Sequence, residues 1–266
     1  MNVELQFELL LKKVKQKFYL DLFPYNRNFV KRRILARMRA LRIKTYIEYY
    51  KYLIDNRDEL FNLLDALSIQ VTEFFRDPDV FLYFRDRILP RIIITKKRRR
   101  QKLLRIWSAG CASGEEVYSI AMIVDDMISN EFIWRVYGTD IDREALEIAK
   151  DGIYPKNKLK NIENRYWKYL ESIDGKYKVK ERIKRRALFF YHNLLSDPYL
   201  RNFDVIFCRN VLIYFDICSQ EKVVREFYES LNKGGYLILG KAEVMPYRLC
   251  NLFEEIDANR KIFKKL

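Results

Sequence analysis

Residues 105–119 read RIWSAGCASGEEVYS: an apolar run, two glycines four residues apart, and two adjacent glutamates where a helix begins. A strand, a glycine turn and a helix start make the first unit of an open α/β sheet, whose ligand binds at the carboxyl ends of the strands. A dinucleotide-binding turn would carry GxGxxG, and a phosphate-cradling loop would end in Gly-Lys-Ser/Thr. Neither is present. Glu115 and Glu116 stand where a phosphate would dock, so pyrophosphate would meet two negative charges. Glu115 suits the helix dipole as a first-turn acid. Glu116 reads as a ligand residue, because a carboxylate there favours a neutral or cationic cofactor with hydroxyl and ammonium donors. Asp140 closes the next strand, VYGTD, where an acid accepts hydrogen bonds from ribose hydroxyls. Ribose recognition without a phosphate cradle points to S-adenosylmethionine rather than NAD.

The alternation continues downstream. LLRIW, FIWRVYGTD, FDVIFCRN and GGYLILG read as strands, and EEVYSIAMIVDDMIS, DREALEIAK and SQEKVVREFYESL as helices. Continuous apolar strands separated by helices predict an α/β fold, doubly wound, with a parallel sheet covered on both faces. Residues 153–190 break the rhythm, and Asp174-Gly175 between alternating segments signals a hairpin, hence a small antiparallel β insertion. Upstream, residues 1–90 carry helical periodicity and no glycine, which predicts an all-α N-terminal domain. The run KKRRR at 96–100 falls within the linker expected at 91–102, and the cofactor-binding domain is expected over 103–266.

Of the net charge of +15, most lies early: residues 1–105 hold 25 Lys and Arg against 12 Asp and Glu. The rest of the chain is nearly balanced. This asymmetry fits an acidic partner or a solvated lysine-rich surface. One helix, Phe29 to Ile43, puts Val30, Ile34, Met38 and Leu41 on one face and Lys31, Arg32, Arg33, Arg37, Arg39 and Arg42 on or beside the other. Four scattered cysteines without a CxxC pair and a single histidine, His192, argue against a disulfide framework, a zinc site and Ser-His or Cys-His catalysis. The segment MNVELQFELLLKKVKQ reverses the charge order of a secretory signal, and no apolar run nears the roughly 18 residues that span a bilayer. A soluble, cytoplasmic protein is expected, without metal and without membrane insertion.

Seven stretches in order, TEFFRDPDVF (72–81), IWSAGCASGEEVYSIAM (106–122), GTDID (138–142), GIYP (152–155), NLL (193–195), FDVIFCRNVLIYFD (204–216) and LNKGGYLILGKAE (231–243), resemble the chemotaxis receptor methyltransferase family (CheR). The resemblance covers nearly the whole chain. It implies an S-adenosylmethionine-dependent O-methyltransferase that esterifies glutamate side chains on the cytoplasmic helices of chemoreceptors and releases S-adenosyl-L-homocysteine. Carried over by position, it implies that Thr72 and Arg76 reach over the cofactor, that Glu116 holds its amino-acid end beside Gly110, and that Asp140 holds the ribose. Asn193 and Leu194 would border the adenine, Arg209 and Asn210 would complete the pocket, and Tyr214 would face the reacting methyl group with Arg76. Gln70 stands where the family has asparagine, and Ser113 where its glycine turn has threonine. Phe74 and Phe75 read as packing residues, and Cys111 and Cys208 as buried small hydrophobes.

A glutamate carboxylate is ionised at neutral pH and needs no general base, so the lack of a catalytic histidine agrees with this chemistry. Arg32, Arg33 and Arg37 are expected to dock acidic receptor helices, the enzyme acting as a monomer. The compact insertion IDGKYKV favours an enzyme independent of a receptor tail peptide. The alternative is a nucleic-acid methyltransferase whose basic N-terminal domain binds RNA or DNA. Against it, FCRNV lacks an Asn/Asp-Pro-Pro-aromatic motif, and no proline precedes Cys208.

Overall fold

Asn2, Asn26 and Thr45 each start a helix by accepting backbone N–H bonds through a side-chain oxygen, the usual way of satisfying donors that have no partner within the first turn. At Thr45 a full capping box forms. Thr45 Oγ1 accepts from Glu48 N at 3.2 Å, and Glu48 Oε2 accepts in return from Thr45 N at 3.2 Å. The helices are α1 (Val3–Phe18), α2 (Arg27–Ala40), α3 (Tyr46–Asp55) and α4 (Arg57–Leu67). Their apolar stripes meet in one core built on Phe7, Leu11, Val30, Ile34, Tyr49 and Leu63. The computed structural model describes residues 2–67, 72–128 and 131–266. The chain forms two units, the first comprising residues 1–69 and 213–220. The segment 213–220 joins this unit through Asn26 N donating to Tyr214 O at 2.8 Å and Asp216 N donating to Pro24 O at 2.9 Å.

The second unit holds residues 70–212 and 221–266. It begins with α5 (Pro78–Tyr83), a π-helical turn at Phe84–Ile88 and α6 (Leu89–Arg98). The linker expected at 91–102 is therefore mostly helix, and the division between units falls near residue 70. The reason is packing: Phe84, Ile88, Leu89 and Ile92 are buried in the core of the second unit.

The sheet then follows the predicted alternation: β1 (Leu103–Ala109), α7 (Glu115–Met127), β2 (Ile133–Asp140) and α8 (Arg143–Asp151). The insertion is a three-stranded antiparallel sheet of β3 (Ile153–Pro155), β4 (Leu170–Ile173) and β5 (Lys176–Val179), in the order β3-β5-β4. Asp174 and Gly175, both at positive φ, make its hairpin turn, as the paired left-handed residues of a tight two-residue loop do. After the short helix α9 (Glu181–Lys184), β6 (Ala187–Tyr191) returns to the main sheet as a parallel neighbour of β2. The insertion thus ends before 187, earlier than the expected 190. The remaining elements are β7 (Phe203–Cys208), α10 (Ile217–Ser230), β8 (Leu231–Leu239), β9 (Phe253–Asp257) and β10 (Ile262–Lys265).

The main sheet runs β6-β2-β1-β7-β8-β10-β9. It is parallel except at β10, which pairs antiparallel with both β8 and β9, so the sheet is mixed where the sequence predicted a parallel one. The order reverses at β1, which pairs with β2 on one side and β7 on the other. In open α/β sheets the ligand crevice lies at such a switch point, here the carboxyl ends of β1, β2 and β7.

Candidate active site

The turn after β1 is shaped by its glycines. Gly110 lies at positive φ, and a Cβ there would lie 2.3 Å from Val211 Cγ2. Only glycine lets the turn pass the loop after β7. Gly114 has φ of 90° and precedes α7. Gly110 N and Cys111 N both donate to Thr139 O, at 2.8 and 3.0 Å, and Ala112 N donates to Asp140 Oδ2 at 2.8 Å. Asp140 Oδ1 accepts from Asp142 N at 2.9 Å. Burial pushes the Asp140 carboxyl above its usual range, although these backbone donors oppose the rise. An ionised carboxylate offers about four acceptor positions, so Asp140 keeps capacity for a hydroxyl.

The two glutamates separate completely. Glu115 is fully buried, accepts from Ser113 Oγ at 2.8 Å, and has Lys158 Nζ at 3.3 Å. Lys158 also donates to Thr72 O at 2.6 Å, so Glu115 helps tie the TEFFR segment to the turn. Phe75 N donates to Ser119 Oγ on α7 at 2.9 Å, making a second tie. Phe74 and Phe75 are packing residues, against Tyr154 and Tyr166 respectively. Half-buried Arg76 sits between Phe75 and Asp77, both at positive φ, a conformation strained for non-glycine residues.

Glu116 instead faces a polar cluster. Its Oε1 accepts from Ser108 Oγ at 2.8 Å and its Oε2 from Arg209 Nη1 at 3.0 Å. Arg209 is buried over the Phe81 ring and also donates, through Nη2, to Asp77 Oδ2. Its buried Nε has no protein partner among the described residues. The next residue, Asn210, lies at positive φ, and buried Glu243 holds this loop by accepting from Val211 N and Leu212 N, both at 2.8 Å, and from Gly240 N. Burial raises the Glu243 carboxyl above its usual range against these donors.

On the other side, His192 N donates to Asp140 O at 3.0 Å and so fixes the start of the NLL stretch. Asn193 accepts from Leu195 N at 2.9 Å, and the Leu194 carbonyl accepts from Tyr199 Oη at 2.7 Å. His192 itself packs against Trp107 and Tyr199, and burial lowers its pKa, so it is held neutral. Cys111 and Cys208 are buried and their thiols are pushed up by desolvation, which leaves them inert. Among the described residues no three His, Cys, Asp or Glu side chains cluster to hold a metal ion. No helix of the described residues is long and apolar enough to cross a membrane.

The second unit thus joins Thr72, Gly110, Glu116, Asp140, Asn193, Leu194, Arg209 and Asn210 around one switch point, on segments tied to one another by these bonds. Gln70 lies outside the described residues. Tyr214 belongs to the first unit, its ring centroid 4.8 Å from that of Phe29. Arg32, Arg33 and Arg37 also belong to the first unit, but not as one exposed face. Arg32 is exposed, and Arg33 lies over the Phe29 ring. Arg37 makes a two-pronged bond to buried Glu59, at 3.0 and 2.6 Å, which makes it part of the helical core. Sequence reasoning missed Asp77, Ser108 and Glu243; all three fall inside the quoted motifs, but nothing local gave them partners.

Two family models cover the chain: the CheR methyltransferase all-alpha domain over residues 5–68 and the CheR methyltransferase SAM binding domain over 70–262. The chain belongs to the CheR methyltransferase family. A chemotaxis protein methyltransferase of Borreliella burgdorferi is 33% identical over 246 residues, spanning 89% of this chain and 87% of that one. Chemotaxis protein methyltransferase 2 of Vibrio cholerae is 34% identical, over 85% of this chain and 81% of its own length. The chemotaxis protein methyltransferase of Escherichia coli is 32% identical, over 86% and 81%. This CheR chain is a methyltransferase that uses S-adenosylmethionine. The residues at its switch point fit that cofactor: Glu116 offers a carboxylate, Arg209 a buried Nε–H without a partner among the described residues, and Asp140 spare acceptor capacity beside the glycine turn.

Proposed function

We propose that the protein transfers the methyl group of S-adenosylmethionine to glutamate side chains on the cytoplasmic helices of chemoreceptors, forming methyl esters. The supporting observation is the site's charge pattern: carboxylates and a buried guanidinium gather at the switch point, with no thiolate or titrating imidazole beside them. A substrate that is already ionised needs neither. When bound, the cofactor supplies an activated methyl on its sulfonium. The chain's own work is then positional. Glu116 and Arg209 hold the two charges of an amino-acid group, Asp140 accepts from ribose hydroxyls, and Asn193 and Leu194 border the base. Arg76, on its strained segment after two anchored phenylalanines, is proposed to grip the incoming carboxylate in a two-pronged bond. Tyr214 is proposed to steady the nucleophile.

Labelled S-adenosylmethionine, the protein and receptor cytoplasmic fragments should yield a base-labile methyl ester on glutamate. Arg76→Ala should lower the rate about 100-fold or more with little change in cofactor affinity. Base-stable label, or label appearing in RNA or DNA instead, would overturn the proposal.

A further inference from the structure

The run KKRRR at 96–100 has no part in the site above, and two of its residues, Lys96 and Arg99, line a different concavity. A cavity of about 950 Å³ lies at the opposite edge of the main sheet. Its walls are α6, the amino-terminal ends of β1, β7 and β8, and the carboxyl end of antiparallel β10. The length of β1 separates it from the switch point, roughly 20 Å at the rise of an extended strand.

The lining holds one acidic side chain, Asp204, which already accepts three bonds: Lys96 Nζ lies at 2.8 Å, Asn232 Nδ2 at 2.9 Å and Arg105 N at 3.0 Å. Lys264 reaches Glu254 at 3.5 Å, and Lys265 donates to the carbonyls of Tyr228 and Leu231. Arg91, Arg99, Lys102, Arg105 and Lys233 have no carboxylate partner among the described residues. The Arg105 guanidinium lies 4.9 Å from the Tyr137 ring centroid and 4.8 Å from that of Phe203, and its buried Nε has no protein partner among the described residues. Like charges converging on one concavity repel, and a low-dielectric wall focuses their field into it.

We propose that this cavity is a second ligand site, which takes a compact polyphosphate anion. Five uncompensated cations match the charge density of a short phosphate chain better than that of a peptide carboxylate, and guanidinium forks suit phosphate oxygens. A single strand of nucleic acid needs aromatic platforms on which bases stack. The one aromatic side chain in the lining, Tyr236, is buried.

The test titrates the full chain with inorganic tripolyphosphate by calorimetry at about 150 mM salt, where exposed charges are screened. Arg99→Gln with Lys233→Gln should weaken binding about tenfold or more, while Lys12→Gln with Lys17→Gln on α1 should leave it within about twofold. Affinity for S-adenosylmethionine should be unchanged in both variants. In the unaltered protein, tripolyphosphate should shield Lys102 and Lys233 from chemical acetylation, read by mass spectrometry. Absence of shielding, equal weakening by the two pairs, or tighter binding of a single-stranded oligonucleotide that the cavity pair abolishes would each overturn the proposal.

Discussion

In the first unit Glu59 receives Arg37 Nε at 3.0 Å and Nη2 at 2.6 Å, Tyr49 Oη at 2.8 Å and Asn62 Nδ2 at 3.4 Å. In the second unit Arg209 is shared between Glu116 and Asp77, while its Nε finds no protein partner among the described residues. Both clusters set a guanidinium against buried or half-buried carboxylates. The first is closed, since an ionised carboxylate offers about four acceptor positions and Glu59 fills them all. The second is open. An unsatisfied buried donor costs about 1–3 kcal/mol, so the open cluster is held at some expense in stability and has bonding capacity left for a ligand.

Removing each guanidinium should give the largest and most different effects. Arg37→Met should leave Glu59 buried without its counter-charge and destabilise the first unit by about 3 kcal/mol in urea unfolding, with cofactor affinity intact in the folded protein. Burial alone would raise the Glu59 carboxyl, but the bonds from Arg37 and Tyr49 outweigh it and hold it below its usual range. The stabilisation is therefore present above the ordinary glutamate value of about 4.3 and lost as pH falls through the lower folded value.

Arg209→Met should act the other way, weakening S-adenosylmethionine binding about 100-fold by calorimetry, or about 2.7 kcal/mol, with a smaller loss of stability. If the two variants showed the same profile, the distinction between closed and open clusters would fail.

A smaller effect is expected at Asp140. Because its folded pKa is raised, it takes up a proton on acidification before an ordinary aspartate would. Cofactor affinity should then fall about tenfold as pH drops, beginning above the usual aspartate value of about 3.9, and Asp140→Asn should be weak at every pH. An affinity that stays flat down to the ordinary range would remove the carboxylate from ribose recognition.

The smallest effect is expected from exposed Arg32: Arg32→Glu should raise the KM for receptor fragments about threefold at low salt and leave cofactor affinity unchanged. Unchanged KM at low salt would remove α2 from docking. Arg37→Glu is unsuited to that test, because it would set a second carboxylate against buried Glu59.

The strand, turn and helix of RIWSAGCASGEEVYS were legible because each depends on neighbours a few residues away: apolar run, glycine at positive φ, helix start. The division of the glutamate pair was half legible. Glu115 is the first-turn acid the sequence predicts, but its full burial and its pairing with Lys158 have no local signal; the ligand role expected of Glu116 is a proposal. ALFF falls inside the insertion expected at 153–190, close behind the hairpin in sequence, whereas pairing with β2 brings ALFFY into the main sheet. The strands of the β9–β10 hairpin, FEEID and IFKK, are short and mix charge with apolar residues, so no clear period marks them in the sequence. RIIITKKR falls in the linker expected at 91–102 and Leu89 in the helical domain expected at 1–90, yet Leu89 and Ile92 bury themselves in the core of the second unit.

The sequence alone determined the α/β class, the family and the chemistry of the cofactor, because these rest on local spacing and on motifs in fixed order. Which charges are closed off by partners and which keep bonding capacity depends on contacts made only in the folded chain. Arg37 meets Glu59 across 22 residues and Arg209 meets Asp77 across 132. Whether a guanidinium ends in a saturated cluster or an open one depends on burial and on the donors that folding brings alongside, and neither is encoded in its immediate neighbours.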